Sequence, residues 1–212
     1  MIEKLTAGYE RFRNGYFQRN RDRLEQLAQK QTPEVVIISC CDSRVDPSIL
    51  FDVKPGDTFV IRNVANLVPP FETQGDYHGT SAALEFAVTC LKVRQIMVLG
   101  HANCGGIRAL MEKDSNIKPS GFIDSWMQIA APAKEKVLAQ KELNTLELQA
   151  DACEKEAVSY SLQNLMTYPW IQDRVAANEL NLIGCYYDLH TGALIVLDKI
   201  GISNTTFKAG GV

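Results

Sequence analysis

The chain has 212 residues, with 22 basic and 25 acidic side chains and a formal net charge of −3. Hydrophobic residues make up 46% and charged residues 22%, an ordinary globular balance that excludes disorder as the main state, and the slight acidic excess argues against a nucleic-acid binder. No stretch approaches the roughly 20 apolar residues needed to span a bilayer, and 6 cysteines are too sparse for a disulfide-built scaffold, so metal binding or catalysis is the better use for some of them.

Residues 1–30 read as a basic amphipathic helical arm. Ile2, Leu5, Tyr9, Phe12 and Tyr16 recur at three- and four-residue steps, while Arg11, Arg13, Arg19, Arg21 and Arg23 fall largely elsewhere. The apolar face is narrow and rich in tyrosine, which suits packing on the body of the protein or on a partner subunit better than lying on a membrane. The segment is charged throughout and has no apolar core, so it is not a secretory signal, and the cytoplasm is the default compartment. Residues 34–39 form a short β-branched run expected of a strand buried on both faces. A second strand is expected at Thr58–Ile61, after the turn at Lys54-Pro55-Gly56-Asp57. Helical periodicity follows from Thr80 to Leu91, then a buried-type strand at Gln95–Gly100. A helix opens at Gly105-Gly106 within Cys104–Met111, and helical stretches are expected at Ile123–Gln140 and Leu146–Thr167. Strand-like runs at Asn181–Tyr187 and Ala193–Leu197 are joined by a turn at Thr191-Gly192. Strands alternating with helices predict an α/β fold with a central, largely parallel β-sheet flanked by helices. The N-terminal arm precedes this sheet, and a long helical region precedes the last strands. With no internal repeat, low-complexity tract or linker, 1–212 is read as a single domain.

Two segments carry chemistry: Cys40-Cys41-Asp42-Ser43-Arg44 and His101-Ala102-Asn103-Cys104-Gly105-Gly106. Both follow predicted strands, and ligands of open parallel sheets bind outside the carboxyl ends of strands. Zinc prefers thiolate and imidazole, and a catalytic site uses three protein ligands with an exchangeable fourth position. His101 and Cys104 supply two ligands, the latter at a helix N-terminus that favours a thiolate. The third comes from Cys40 or Cys41. If the chain stays extended, residues 40, 42 and 44 share a face, which selects Cys40 and leaves Cys41 to packing. Cys90, Cys153 and Cys185 read as small buried hydrophobes. A Cys40–Cys41 redox disulfide is disfavoured, because adjacent cysteines make a strained bridge.

Together with Arg62-Asn63-Val64-Ala65-Asn66, these segments resemble a β-class carbonic anhydrase. Val68-Pro69-Pro70-Phe71, Ala131-Pro132-Ala133-Lys134 and Cys153-Glu154-Lys155-Glu156-Ala157-Val158 resemble its plant-type branch, so the likeness runs over roughly residues 30 to 200. The resemblance implies reversible hydration of carbon dioxide to bicarbonate and a proton, by attack of zinc-bound hydroxide, with one Zn2+ per chain on Cys40, His101 and Cys104. Arg44 would hold Asp42 away from the metal, and Asp42 would accept a hydrogen bond from the zinc-bound oxygen. Phe59, Val64 and Phe86 would line an apolar slot for carbon dioxide, a role periodicity alone does not separate from plain core. The Gln31 side chain, from a neighbouring subunit, and the Gly105 backbone N–H would bind substrate or product oxygen. A homodimer would then be the smallest working unit, with neither nucleic acid nor membrane as partner.

The chain departs from the family in two places. Members that close the site carry a tryptophan three residues before the ligand cysteine, where this chain has Ile37, so an open site with an Asp42–Arg44 salt bridge is expected. The tyrosine and histidine that are candidate proton relays in plant-type members correspond to Phe86 and Cys90. His78 is then a candidate shuttle, and His190 lies farther off in the C-terminal strand–turn region. Two other functions stay open: hydrolysis of carbon disulfide or carbonyl sulfide on the same fold, and a non-catalytic zinc protein that senses bicarbonate. Retention of Asp42 and Arg44 speaks against the second, since structural zinc takes four closed ligands.

Overall fold

The computed structural model describes residues 1–75, 77–112 and 121–201. Among these, β1 (Val35–Cys40), β2 (Thr58–Asn63), β3 (Gln95–His101), β4 (Asn181–Tyr187) and β5 (Leu194–Ile200) form one sheet in the order β2-β1-β3-β4-β5. The first four strands run parallel, and β5 returns antiparallel along β4. The β-branched run is a central strand, buried from Val36 to Cys40, as expected where helices and loops cover both faces of a parallel sheet.

Alternation along the strands divides the core. Val36, Ile38, Ile96, Val98 and Leu182 pack on one face with Leu84, Val158 and Leu162, which come from α4 (Gly79–Glu85) and α8 (Leu146–Leu165). Ile37, Met97, Leu99, Ile183 and Cys185 pack on the other. A third cluster, at the carboxyl end of the sheet, gathers Cys40 and Cys104 with Ile107, Met127, Val137 and Ala157. Two glycines let α8 sit close to the sheet. A Cβ on Gly100 of β3 would meet Val158 Cγ2 at 2.5 Å, and one on Gly184 of β4 would meet Val158 Cγ1 at 2.9 Å.

The N-terminal arm is two helices, α1 (Ile2–Phe12) and α2 (Arg21–Gln29), separated by a π-turn at Arg13–Phe17. Ile2, Leu5, Tyr9 and Phe12 are exposed within the chain. The arm meets the body where Arg23 binds Asp57 and the Pro55 carbonyl.

Several expected helices are divided. The stretch from Ile123 becomes α6 (Phe122–Met127), a 3-10 turn at Gln128–Ala130 and α7 (Ala131–Leu138), because Pro132 lacks an N–H and suits only a helix's first turn. The stretch from Thr80 ends as α4 followed by a π-turn at Phe86–Cys90. Two helices were not anticipated: α3 (Pro47–Leu50), capped by the Asp46 carboxylate on Ser48 N, and α9 (Pro169–Ala176). α5 (Gly105–Met111) follows β3 directly. Cys41 and Cys90, expected to pack as small hydrophobes, are exposed, whereas Cys153 and Cys185 are buried. Cys41 lies just past the end of the buried strand, and Cys90 ends the surface π-turn. No helix among the described residues is long and apolar enough to cross a membrane.

Candidate metal centre

The ends of β1 and β3 and the start of α5 bring Cys40, His101 and Cys104 together, with their ligand atoms within 4.8 Å of one another and all three residues buried. Two sulphurs on one tetrahedral zinc, at Zn–S distances of about 2.3 Å, lie about 3.8 Å apart, so the grouping is of the right size. His101 Nδ1 is hydrogen-bonded to the Ala102 carbonyl oxygen at 2.9 Å, which makes Nδ1 the protonated nitrogen and leaves Nε2 as a lone-pair donor. Nε2 is buried with no partner in full hydrogen-bond geometry and the Cys40 thiol as its neighbour, a costly arrangement unless both ligate a cation. Two soft thiols and an imidazole form a zinc donor set.

The electrostatics agree. The Cys104 thiol, the His101 imidazole and the backbone N–H groups of Asp42 and Ala65 hold the Cys40 thiol well below the ordinary thiol range, against the opposing effect of burial. The same contact pushes the Cys104 thiol up. Burial by itself would lower the His101 pKa, but the adjacent Cys40 thiolate more than offsets it, and the net shift is upward.

The Ala65 N–H reaches Cys40 Sγ at 3.3 Å from a turn in which Ala65 has φ +61° and Asn66 φ +49°. A left-handed alanine costs about 1 kcal/mol, and strain of this kind is held only where its surroundings over-determine it. Here Asn63 clamps the turn by binding both the N–H and the carbonyl of Leu67, and Trp126 Nε1 donates to the Val64 carbonyl at 2.8 Å. Asn103, between the second and third ligands, is also left-handed (φ +56°), a conformation asparagine tolerates.

Asp42 accepts three hydrogen bonds from Arg44: the backbone N–H and Nε on Oδ1, both at 2.9 Å, and Nη2 on Oδ2 at 2.7 Å. The guanidinium holds the carboxyl well below the usual carboxylate range. Arg44 Nη2 also donates to the Asn103 carbonyl at 2.9 Å, which ties the two motif loops together. Asn103 in turn is hydrogen-bonded to His190 at 2.8 Å. Because Arg44's own backbone N–H bonds Asp42, a tight turn rather than continued extended chain sets this pair.

The remaining expected residues divide. Val64 packs beside the cluster that contains Cys40 and Cys104, and a Cβ on Gly105 would meet no atom from outside its own turn of helix within 4 Å. Phe59 and Phe86 pair with each other, ring centroids 6.1 Å apart, and Phe59 belongs to the α8-side cluster instead. Phe86 is 45% exposed, and Gln31 is exposed beside α2. Within one chain these three are not gathered at the ligands. His78 is exposed, bonded to the Gln74 carbonyl at 2.9 Å, on the wall of a cavity of about 970 Å3 that also includes Asn63, Val64 and Trp126.

Two residues unassigned from sequence support the ligand loops. Arg62 donates Nε to the Cys40 carbonyl at 2.9 Å and Nη2 to the carbonyls of Asp42 and Val45 at 2.7 and 2.8 Å, and it pairs with Asp46 at 3.2 Å. Glu154, on α8, accepts from the Cys104 N–H at 2.8 Å. Both lie inside segments that carried the family resemblance, and that is the only trace of them in the sequence.

A family model described as carbonic anhydrase matches residues 35–194. Beta carbonic anhydrase 3 of Arabidopsis thaliana is 39% identical over 193 residues, spanning 90% of this chain and 74% of that protein. Among solved structures, the β-carbonic anhydrase CcaA aligns with a TM-score of 0.85 at 31% identity, covering 95% of this chain and 92% of that one. A structure described with two tetrameric β-carbonic anhydrases of the ascomycete Sordaria macrospora aligns with a TM-score of 0.79 at 28% identity, covering 92% and 96%.

Proposed function

The chain belongs to the β-carbonic anhydrase family, in its plant-type branch, and from that premise we propose how its own residues carry out the zinc-dependent hydration of carbon dioxide to bicarbonate and a proton. Cys40, His101 and Cys104 would hold zinc, which when bound would supply a Lewis acid able to bring the pKa of water to about 7, the general figure for carbonic anhydrase rather than one worked from this site. The buried orphan Nε2 of His101 is the single observation that carries the metal assignment.

Asp42 orients the nucleophile. A carboxylate has about four lone-pair sites, and Arg44 fills two on Oδ1 and one on Oδ2. The free site on Oδ2 would accept a hydrogen bond from the nucleophile's O–H and so orient it, the proton staying on oxygen because Arg44 holds the Asp42 carboxyl ionised. Arg44 keeps Asp42 ionised and off the ligand set, which makes this an open site. A crystal structure near pH 8 with Asp42 coordinated to the metal would overturn that arrangement. The Gly105 N–H binds a developing carboxylate oxygen, and Val64 supplies an apolar wall for an uncharged substrate. His78, on the wall of the cavity that Val64 also lines, is the candidate for passing the product proton to buffer.

Gln31, Phe59 and Phe86 complete the pocket from a second copy of the chain. Their absence from the cluster around Cys40 and Cys104 supports this, as does the exposed apolar face of the arm, Ile2, Leu5, Tyr9 and Phe12. Self-association is also the state named for the Sordaria macrospora relatives. The cytoplasm is the proposed compartment, in keeping with six unpaired thiols. Stopped-flow carbon dioxide hydration with zinc quantified, on wild type and Cys40→Ser, tests the mechanism: fast turnover with about one zinc per chain, both lost in the variant, is expected. Zinc bound without hydration between pH 7 and 9 would refute it. Sedimentation velocity tests the pocket, since a fully active monomer rules out residues shared between copies.

A further inference from the structure

Glu154 is 5% exposed, the one charged side chain among the buried residues of its helix. Acidic side chains are almost never this buried without partners, and this one has two. Oε1 accepts from the Cys104 N–H at 2.8 Å, and Oε2 accepts from the Tyr186 hydroxyl at 2.7 Å. Tyr186 is itself buried in β4 and lies 3.2 Å from Asp151 Oδ1, with the Lys155 ammonium 4.9 Å from its ring centroid. An aromatic hydroxyl on one strand thus fixes a carboxylate on a helix, and the carboxylate holds the amide of a residue on the loop after another strand.

The amide it holds is the informative part. Cys104 is the N-cap of α5 and has extended backbone (φ −67°, ψ 116°). The first amides of a helix have no partner within the helix, and the Cys104 amide is turned towards α8 instead. Fixing this N–H fixes the Cys104 backbone, and with it the direction in which Sγ leaves the chain. The carboxylate acts from the side of the loop opposite Arg44, which holds the neighbouring Asn103 carbonyl.

We propose that Glu154, steadied by Tyr186, is a positioning residue for the metal centre: its hydrogen bond to the Cys104 amide presets the third ligand for zinc. The inference rests on the zinc assignment above. Groups that orient metal ligands from behind typically contribute 10- to 100-fold in metal affinity or activity.

The test uses the full chain as wild type, Glu154→Ala, Glu154→Gln and Tyr186→Phe. Zinc affinity is measured by competition against a chromophoric chelator, thiolate-to-metal geometry by the absorption spectrum of the cobalt-substituted protein, and fold by the thermal midpoint of the metal-free forms. Glu154→Ala should weaken zinc binding about 10- to 100-fold and alter the thiolate–cobalt band. Glu154→Gln keeps an oxygen for the Cys104 N–H and should recover most of the affinity, while Tyr186→Phe should lose affinity at the low end of that range. Wild-type zinc affinity and cobalt spectrum in Glu154→Ala, with only the metal-free midpoint lowered, would overturn the proposal and leave Glu154 a structural group. Should Glu154→Ala not fold, Tyr186→Phe decides, and unchanged affinity there overturns the proposal equally. A wild-type chain that binds no zinc fails at the functional reading itself, and the inference falls with it.

Discussion

Removing the Arg62 guanidinium should loosen the first ligand loop without touching a ligand. Arg62→Ala deletes three hydrogen bonds to the carbonyls of Cys40, Asp42 and Val45. Hydrogen bonds from a charged donor contribute about 1.5–3 kcal/mol when sheltered. The Arg62 side chain is 29% exposed, so water replaces part of each bond, and about 1 kcal/mol apiece is the appropriate figure. The ion pair with Asp46 adds little, being open to solvent on both sides. The sum, about 3 kcal/mol, corresponds to a fall of about 6–12 °C in thermal midpoint for a chain of this size. Because the freed loop carries both Cys40 and Asp42, hydration should fall at least about tenfold in the same protein. Differential scanning fluorimetry, zinc quantification and stopped-flow hydration read the three effects. Arg62→Lys should recover only part of each, since an ammonium cannot fork across three carbonyls. A midpoint within about 2 °C of wild type, together with full zinc content and activity, would refute the clamp.

Three further outcomes are expected. The folded-state pKa of Asp42 is depressed by Arg44, so the stabilisation from that pair is complete above about pH 4, where unfolded aspartate ionises, and is lost as pH falls through the lower folded value. Arg44→Met should therefore be less stable than wild type to urea at pH 7 by more than at pH 3, and an equal gap at both counts against the pair. Stripping zinc with dipicolinate should abolish hydration and lower the thermal midpoint, yet leave far-ultraviolet circular dichroism intact, because the apolar clusters on both sheet faces include no ligand. Loss of the helical signal would contradict this. Gly100→Ala places a methyl 2.5 Å from Val158 Cγ2 and should cost about 1–3 kcal/mol; adding Val158→Ala should make the double variant more stable than the two single losses predict, and strict additivity would show that the contact is not the cause.

What could be read in the sequence follows from how local the physical cause is. The strands around Val36 and Ile96 were legible because β-branched runs between turns admit few other readings. Cys40, His101 and Cys104 were legible because soft donors are scarce and stand at strand ends. Face alternation selected Cys40 over Cys41 correctly, although the Asp42–Arg44 pair is set by a turn that alternation does not describe. Cys41 and Cys90 looked apolar by residue type, but exposure depends on where a strand or helix stops. Pro132 marked the break between α6 and α7 and was passed over within a longer helical periodicity. Arg62 and Glu154 were silent, since an arginine on a strand and a glutamate on a helix are ordinary surface residues until the fold folds their partners over them.

Arg62 belongs to β2, one of the two edge strands, where it stands opposite Ser39 while Asn63 stands opposite Cys40. A slip of one residue in that pairing would turn every β2 side chain to the other face and swing the guanidinium away from the loop it braces. Edge pairing and ligand geometry are therefore coupled: the register that seats Arg62 on the Cys40, Asp42 and Val45 carbonyls is the one that holds the first ligand loop. A chain that pairs this strand out of step leaves the loop carrying Cys40 and Asp42 without its brace.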